Sequence, residues 1–209
     1  MATMEDEFDY QKKICLLGDP AVGKTSLIRR FVEDTFDEDY VSTIGTNVLS
    51  KLVNLYFPET GETTSIKLLI WDIAGQKSIS DIHASYFHGA EGALIVCDIT
   101  RKGTLEHLPD WIYQYRKITN NSGFVILANK SDLNYDRKID LNEPKRIAES
   151  YNAHYFLTSA KTGDGVENSF HTLCFSIIYK SLDLPFSALT SKKVELYSKL
   201  EDRARFMKD

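Results

Sequence analysis

The sequence predicts an α/β fold with a six-stranded, mostly parallel sheet, one antiparallel strand, and helices on both faces. Short apolar runs alternate with helical patterns along most of the 209 residues, which is typical of a sheet covered on both sides. Two neighbouring runs are joined by a short turn, which indicates a hairpin and supplies the antiparallel strand. The length and the 43% hydrophobic content allow one domain with a sizeable core.

Each element follows from its own pattern. The apolar runs predict strands at residues 14–17, 48–57, 66–71, 93–96, 124–128 and 155–157. Helical spacing between them predicts helices at residues 24–32, 105–118, 143–151 and 166–181. The sequence Pro-Glu-Thr-Gly at 58–61 turns the second strand into the third. Ligands in such sheets bind beyond the carboxyl ends of the strands, so functional residues are expected there.

Three segments make up the chain: an acidic extension at residues 1–9, a domain at 10–182, and a tail at 183–209. The extension has no apolar segment typical of a signal peptide. The tail has mixed charges and a predicted amphipathic helix, with apolar residues at helical spacing: Val194, Tyr197, Leu200, Ala204 and Met207.

Composition also bears on location and partners. The net charge of -5 argues against a protein that binds nucleic acid through its phosphate backbone. The cysteines, Cys15, Cys97 and Cys174, lack metal-site spacing and are expected to be buried, reduced thiols of an intracellular protein. No cysteine follows Cys174, so no lipid anchor is evident. We therefore expect a cytoplasmic monomer.

A phosphate-binding motif follows the first strand. Residues 18–25, Gly-Asp-Pro-Ala-Val-Gly-Lys-Thr, match the pattern GxxxxGK[ST] between a strand and a helix. Glycines let backbone N–H groups wrap phosphates, Lys24 reaches the β- and γ-phosphates, and the Thr25 hydroxyl ligates Mg²⁺. The residues expected around the phosphates are Gly18, Asp19, Ala21, Val22, Gly23, Lys24, Thr25 and Ser26.

A second motif, Asn-Lys-Ser-Asp at residues 129–132, ends the fifth predicted strand. The Asp132 carboxylate can accept hydrogen bonds from guanine N1–H and its exocyclic amine. Adenine offers no such pair, so a buried Asp132 would be left unsatisfied by ATP. Residues 158–161, Thr-Ser-Ala-Lys, follow the sixth strand. The chain is therefore predicted to bind a guanine nucleotide.

These motifs, with Thr43-Ile44-Gly45 and residues 71–76, Trp-Asp-Ile-Ala-Gly-Gln, occur in one order along the chain. In that order they resemble a small GTPase of the Ras superfamily, closest to the Rab-like branch, over residues 10–182. The resemblance implies a P-loop NTPase G domain that binds GTP and GDP with Mg²⁺ and hydrolyses GTP. It also implies an exchange factor, an activator and effectors that read two switch loops, at residues 34–46 and 74–86.

The resemblance also implies roles for individual residues. Gln76 orients the attacking water and, with Lys24 and Thr43, forms the catalytic set. Thr25, Thr43 and Asp72 hold the metal, Asp72 through water. The other nucleotide contacts implied are Phe36 on the guanine edge, Tyr40 across the phosphates, Gly75 on the γ-phosphate, Asn129 and Lys130 bracing the base loop, Ser159 beside it, Ala160 donating to the guanine oxygen, and Lys161 stacking nearby.

Several positions depart from the family pattern. Pro20 replaces a small residue and places a ring near the expected position of Gln76. Ile73 replaces the usual Thr, Lys77 the usual acidic residue, and Asn47-Val48 the usual aromatic. Pro20 leaves a second hypothesis open, a nucleotide-locked scaffold that barely hydrolyses GTP. A third, an ATP-using P-loop enzyme, is disfavoured by Asp132.

Overall fold

A six-stranded sheet runs through the part of the chain that the computed structural model describes, residues 8–37, 43, 45–57, 61–74, 85–120 and 122–181. Its strands, in chain order, are β1 (Tyr10–Leu17), β2 (Thr46–Phe57), β3 (Glu62–Ile73), β4 (Gly92–Asp98), β5 (Gly123–Asn129) and β6 (His154–Thr158).

The strands lie in the order β2-β3-β1-β4-β5-β6, and only β2 runs antiparallel to its neighbour. The predicted mixed, mostly parallel sheet is thus confirmed. The predicted hairpin is also present, with Val53 opposite Ile66. Asp98, Asn129 and Thr158 lie side by side in register at the carboxyl ends of β4, β5 and β6. The ends of three parallel strands therefore place polar side chains together, as the rule for such sheets requires.

Helices cover both faces of the sheet. The helices whose two ends both lie within the described residues are α1 (Lys24–Glu33), α2 (Lys102–Glu106), α3 (Leu108–Ile118), α4 (Asn142–Ser150) and α5 (Val166–Ser181), with a 3-10 helix at Ser131–Asp136. These elements lie within the predicted domain 10–182, whose boundaries stay a prediction.

The single helix expected at 105–118 is wrong, because the chain forms α2 and α3 there with a break at His107. The backbone N–H of His107 still bonds to Gly103, which closes α2. Pro109 then stands at the start of α3, where its missing N–H costs nothing. The proline was therefore a local sign of a helix start inside the predicted helix.

Each face of the sheet has its own core. On one face α1 packs on α5, with the rings of Phe31 and Phe170 stacked at 3.9 Å. On the other face α3 presents Trp111, Ile112 and Tyr115 to the sheet. Because of these two cores, α1 and α3 lie on opposite faces of the sheet. Both helices can therefore reach the loop after β1, at the carboxyl ends of the strands.

All three cysteines are buried and free, as predicted. Burial raises the pKa of each thiol, Cys15, Cys97 and Cys174, to about 12, which keeps them protonated and unreactive. Among the helices that the structure describes, none combines the length and apolar character needed to span a bilayer.

Candidate nucleotide-binding site

The loop between β1 and α1 needs glycine at two positions. Gly18 has φ 134°, and a Cβ there would overlap the carbonyl oxygen of Val96. Gly23 has φ 99°, and a Cβ there would overlap the side-chain amide of Asn129. The motif glycines therefore let the loop lie directly against β4 and β5. Ala21 has φ 60° without being glycine, so the loop holds one residue in a conformation that costs free energy.

Lys24 is buried at the first position of α1. Its ammonium donates to the carbonyl oxygens of Gly18 at 2.8 Å and Asp19 at 2.9 Å. Burial lowers the pKa of Lys24 to about 8, although the carboxylates of Asp72 and Asp19 favour its charged form. The side chain thus lies inside the loop with its charge only partly compensated, as a phosphate-binding lysine requires.

Three oxygen-bearing side chains converge beside the loop. The Thr25 hydroxyl lies 2.9 Å from the Thr43 hydroxyl and donates to Asp72 Oδ2 at 2.5 Å. Asp72 is buried at the end of β3, and its Oδ1 has no hydrogen-bond partner among the described residues. Burial raises the pKa of Asp72, although the Thr25 hydrogen bond and the Lys24 charge lower it. The predicted metal residues are therefore brought together.

The second motif is tied to the first. Asn129 Nδ2 donates to the carbonyl oxygen of Val22 at 2.8 Å, and Thr158 Oγ1 donates to Asn129 Oδ1 at 3.2 Å. Ser159 Oγ donates to Asp132 Oδ1 at 2.6 Å. Asn129 thus links the base loop to the phosphate loop, and Ser159 holds Asp132, while the contacts of both residues with a nucleotide stay a prediction. Asp132, however, is exposed at the rim and not buried, because it follows β5 in the 3-10 helix.

The other residues predicted to contact the base differ in their burial and in their contacts. Lys130 has φ 71° and its ammonium pairs with Asp98 at 2.6 Å. Ala160 is buried, whereas Lys161 is exposed beside it. Phe36 is partly buried against the core that α1 and α5 share.

Asp98, which pairs with Lys130, is a further residue of this site that the motifs do not indicate. Burial disfavours its charged form, but hydrogen bonds from Lys130 and Thr100 outweigh this and hold the pKa of the carboxyl below its usual value. The signal was available, since Asp98 ends the apolar run of β4 at the same edge as Asn129.

Comparison with known proteins then decides the family. The model of the Ras family matches residues 13–179, which is most of the chain. The chain belongs to the Ras family. It is 37% identical over 187 residues to Ras-related protein Rab-1 of Theileria parva, covering 88% of this chain and 82% of that relative.

Two further relatives agree with this assignment. Ras-related protein RABA4b of Arabidopsis thaliana is 38% identical over 170 residues, 81% of this chain and 73% of its own. Ras-related protein Rab-1A of Dictyostelium discoideum is 37% identical over 175 residues, which are 83% of this chain and 84% of that relative. This Ras-family chain is thus a Rab-like small GTPase, which binds GTP, hydrolyses it and acts as a switch.

Some expected positions of this small GTPase lie outside the described residues, namely Tyr40, Gly75, Gln76 and Lys77. Ser26 follows Thr25 in the first turn of α1. Of the departures from the family pattern, Ile73 is buried in the core beneath α3, whereas Asn47 and Val48 are exposed on β2. Ile73 therefore acts through packing, and Val48 lies where a partner can touch it.

Proposed function

We propose that this small GTPase binds GTP and GDP together with Mg²⁺, and that Thr25, Thr43 and Asp72 hold the ion. The convergence of these three side chains is the observation that supports the proposal. Two hydroxyls and a carboxylate are the hard oxygen donors that Mg²⁺ takes in phosphate sites. Their positions at the start of α1, in the first switch segment and at the end of β3 come from three separate parts of the chain.

The unpartnered oxygen of Asp72 supports the same proposal. A buried carboxylate oxygen without a hydrogen bond costs free energy, and burial already raises the pKa of this group. A cation, or a water bound to one, would satisfy Oδ1 and favour the charged carboxylate. When bound, Mg²⁺ supplies charge that neutralises the β- and γ-phosphate oxygens.

Other residues of the chain bind the phosphates and the guanine base. Lys24 binds the β- and γ-phosphates from inside the loop, and the backbone N–H groups of residues 18, 19 and 21–26 surround them. Asp132 reads the guanine amine and N1–H, while Ala160 donates its N–H to the guanine oxygen. Asp132 is exposed, and the Ser159 hydroxyl on its Oδ1 orients the carboxylate, with Oδ2 on the same group.

The switch itself rests on Thr43 and Gly75, which hold the γ-phosphate, and on Gln76, which orients the attacking water. After hydrolysis both contacts are lost, and segments 34–46 and 74–86 relax. An exchange factor, an activator or an effector must bind the two states with unequal affinity to read the difference.

Release of a fluorescent GDP analogue tests the Mg²⁺ site. Chelation of Mg²⁺ should speed release by at least about tenfold in the wild type, because Thr25, Thr43 and Asp72 would hold the ion and its charge would offset that of the phosphates. Equal release with and without chelator would contradict the proposal.

Pro20 supports a second candidate, a scaffold that keeps its nucleotide. It is exposed at the mouth of the loop, and its carbonyl accepts a hydrogen bond from Arg101 at 2.8 Å. A single-turnover hydrolysis assay with the wild type and Pro20→Gly separates the two. A wild type that hydrolyses GTP only over many hours, and a faster Pro20→Gly, would favour the scaffold.

A further inference from the structure

Arg30 joins the helix of the phosphate site to the loop of the base site. It lies in the last turn of α1, where its Nε donates to the carbonyl oxygen of Ala160 at 2.9 Å and its Nη2 to that of Lys161 at 2.8 Å. Arg30 and Ala160 are 130 residues apart in the chain. Its third nitrogen, Nη1, bonds to Asp34 at the end of the same helix.

We infer that Arg30 is a positioning residue for guanine recognition and acts through the backbone of Ala160. The inference rests on the proposed function, in which the Ala160 N–H donates to the guanine oxygen. The N–H belongs to the peptide that joins Ser159 to Ala160, and the carbonyl that Arg30 binds belongs to the next peptide. Arg30 therefore fixes the chain immediately after the donor.

The chain immediately before the donor is fixed independently. The backbone N–H of Ser159 donates to the carbonyl oxygen of Asp164 at 3.0 Å, and its hydroxyl donates to Asp132. Ser159 is fully buried. The Ser159 carbonyl, in the same peptide as the Ala160 N–H, accepts a hydrogen bond from the backbone N–H of Gly163 at 2.8 Å. The Ala160 N–H is thus held from both sides, through Ser159 by its own loop and Asp132, and by Arg30 from α1.

Arginine is the side chain suited to this task. Its planar guanidinium donates along two parallel directions and can orient two successive carbonyl groups at once, whereas lysine carries one point charge on a flexible stem. The Arg30 side chain is 18% exposed and its bond to Ala160 is partly buried, so water competes less for that bond than for the exposed one to Lys161. The Asp34 side chain is 91% exposed, and that ion pair contributes little.

Nucleotide analogues test the inference on the full chain. GDP and inosine diphosphate both carry the 6-oxygen, whereas 6-thioguanosine diphosphate replaces it with sulfur, a weak acceptor. Arg30→Ala should weaken GDP and inosine diphosphate about tenfold each, the effect of one misplaced hydrogen bond. It should weaken the sulfur analogue less than about threefold, because little remains to be lost at that atom.

Two variants serve as controls. Asp34→Asn removes the exposed ion pair, keeps a residue that tolerates the left-handed conformation at the end of α1, and should leave all three affinities near wild type. Arg30→Lys keeps the charge and should weaken GDP by an intermediate amount, which preserves the test if Arg30→Ala does not fold.

The outcomes separate the inference from the proposed function. Equal losses for all three nucleotides, or no loss for any, would overturn the role of Arg30 in reading the 6-oxygen. A wild type that binds none of the guanine nucleotides would instead overturn the proposed function.

Discussion

The carboxylate of Asp19, in the phosphate loop, accepts a hydrogen bond from the indole Nε1 of Trp111 on α3 at 3.0 Å. The other carboxylate oxygen lies 2.7 Å from His107 Nδ1, and Arg101 holds the next carbonyl, that of Pro20. Asp19 is buried, so these donors replace its water. The loop is therefore fixed from the α3 side of the sheet as well as by its own helix.

Trp111→Phe should lower the free energy of unfolding by about 2 kcal/mol, because it keeps a ring but removes a donor to a buried carboxylate. Urea unfolding at saturating GDP measures the change. The matched control is Trp71→Phe, since the Trp71 Nε1 is buried without a hydrogen-bond partner in the described part of the chain. Equal shifts in the two variants would show that the Asp19 bond adds nothing.

Asp72→Asn should raise the Mg²⁺ concentration needed to slow GDP release by at least about tenfold, because it keeps the shape of the side chain and removes its charge. The Thr25 hydroxyl can still donate to the amide oxygen, so the fold should persist. Asp136→Asn, which changes an exposed carboxylate, is the control. An unchanged Mg²⁺ requirement in Asp72→Asn would remove this residue from the metal site.

Local patterns predicted the sheet and the phosphate loop because each depends on neighbours in the chain. Gly18 and Gly23 were recognised by spacing alone, and the structure adds the reason, contact with Val96 and Asn129. The sequence does not predict the hydrogen bond that joins the phosphate loop to α3, since Asp19 and Trp111 are 92 residues apart. Such pairs depend on how helices settle on the sheet, which a single sequence does not reveal.

Ala21→Gly should raise the free energy of unfolding by about 0.5 kcal/mol. Relief of the left-handed conformation is worth about 1 kcal/mol, and the greater freedom of glycine in the unfolded chain removes about half of it. Ala148→Gly, within α4, should show the opposite sign and lose at least about 1 kcal/mol. Thermal unfolding of both variants measures this, and a loss in Ala21→Gly would show that the loop is not strained at Ala21.

Nucleotide affinity should change little between about pH 7 and 8 and fall above about pH 8, because Lys24 in the free protein loses its proton near that pH. Phosphate binding favours the charged lysine, so binding at about pH 8.5 should take up roughly three quarters of a proton, and little at about pH 7. Calorimetry of GDP binding in two buffers with different ionisation enthalpies measures the uptake.

The lowered pKa of Lys24 also makes folding stability depend on pH, in the direction opposite to nucleotide affinity. The lysine's pKa is about 8 when folded and 10.5 ordinarily, so the unfolded chain binds more protons between these values. The contribution of Lys24 to the stability of the nucleotide-free protein therefore rises with pH over that range, while nucleotide affinity falls. Lys145→Ala, which removes an exposed lysine, should leave the proton uptake unchanged. Uptake that is absent at both pH values would show that the buried Lys24 does not titrate on binding.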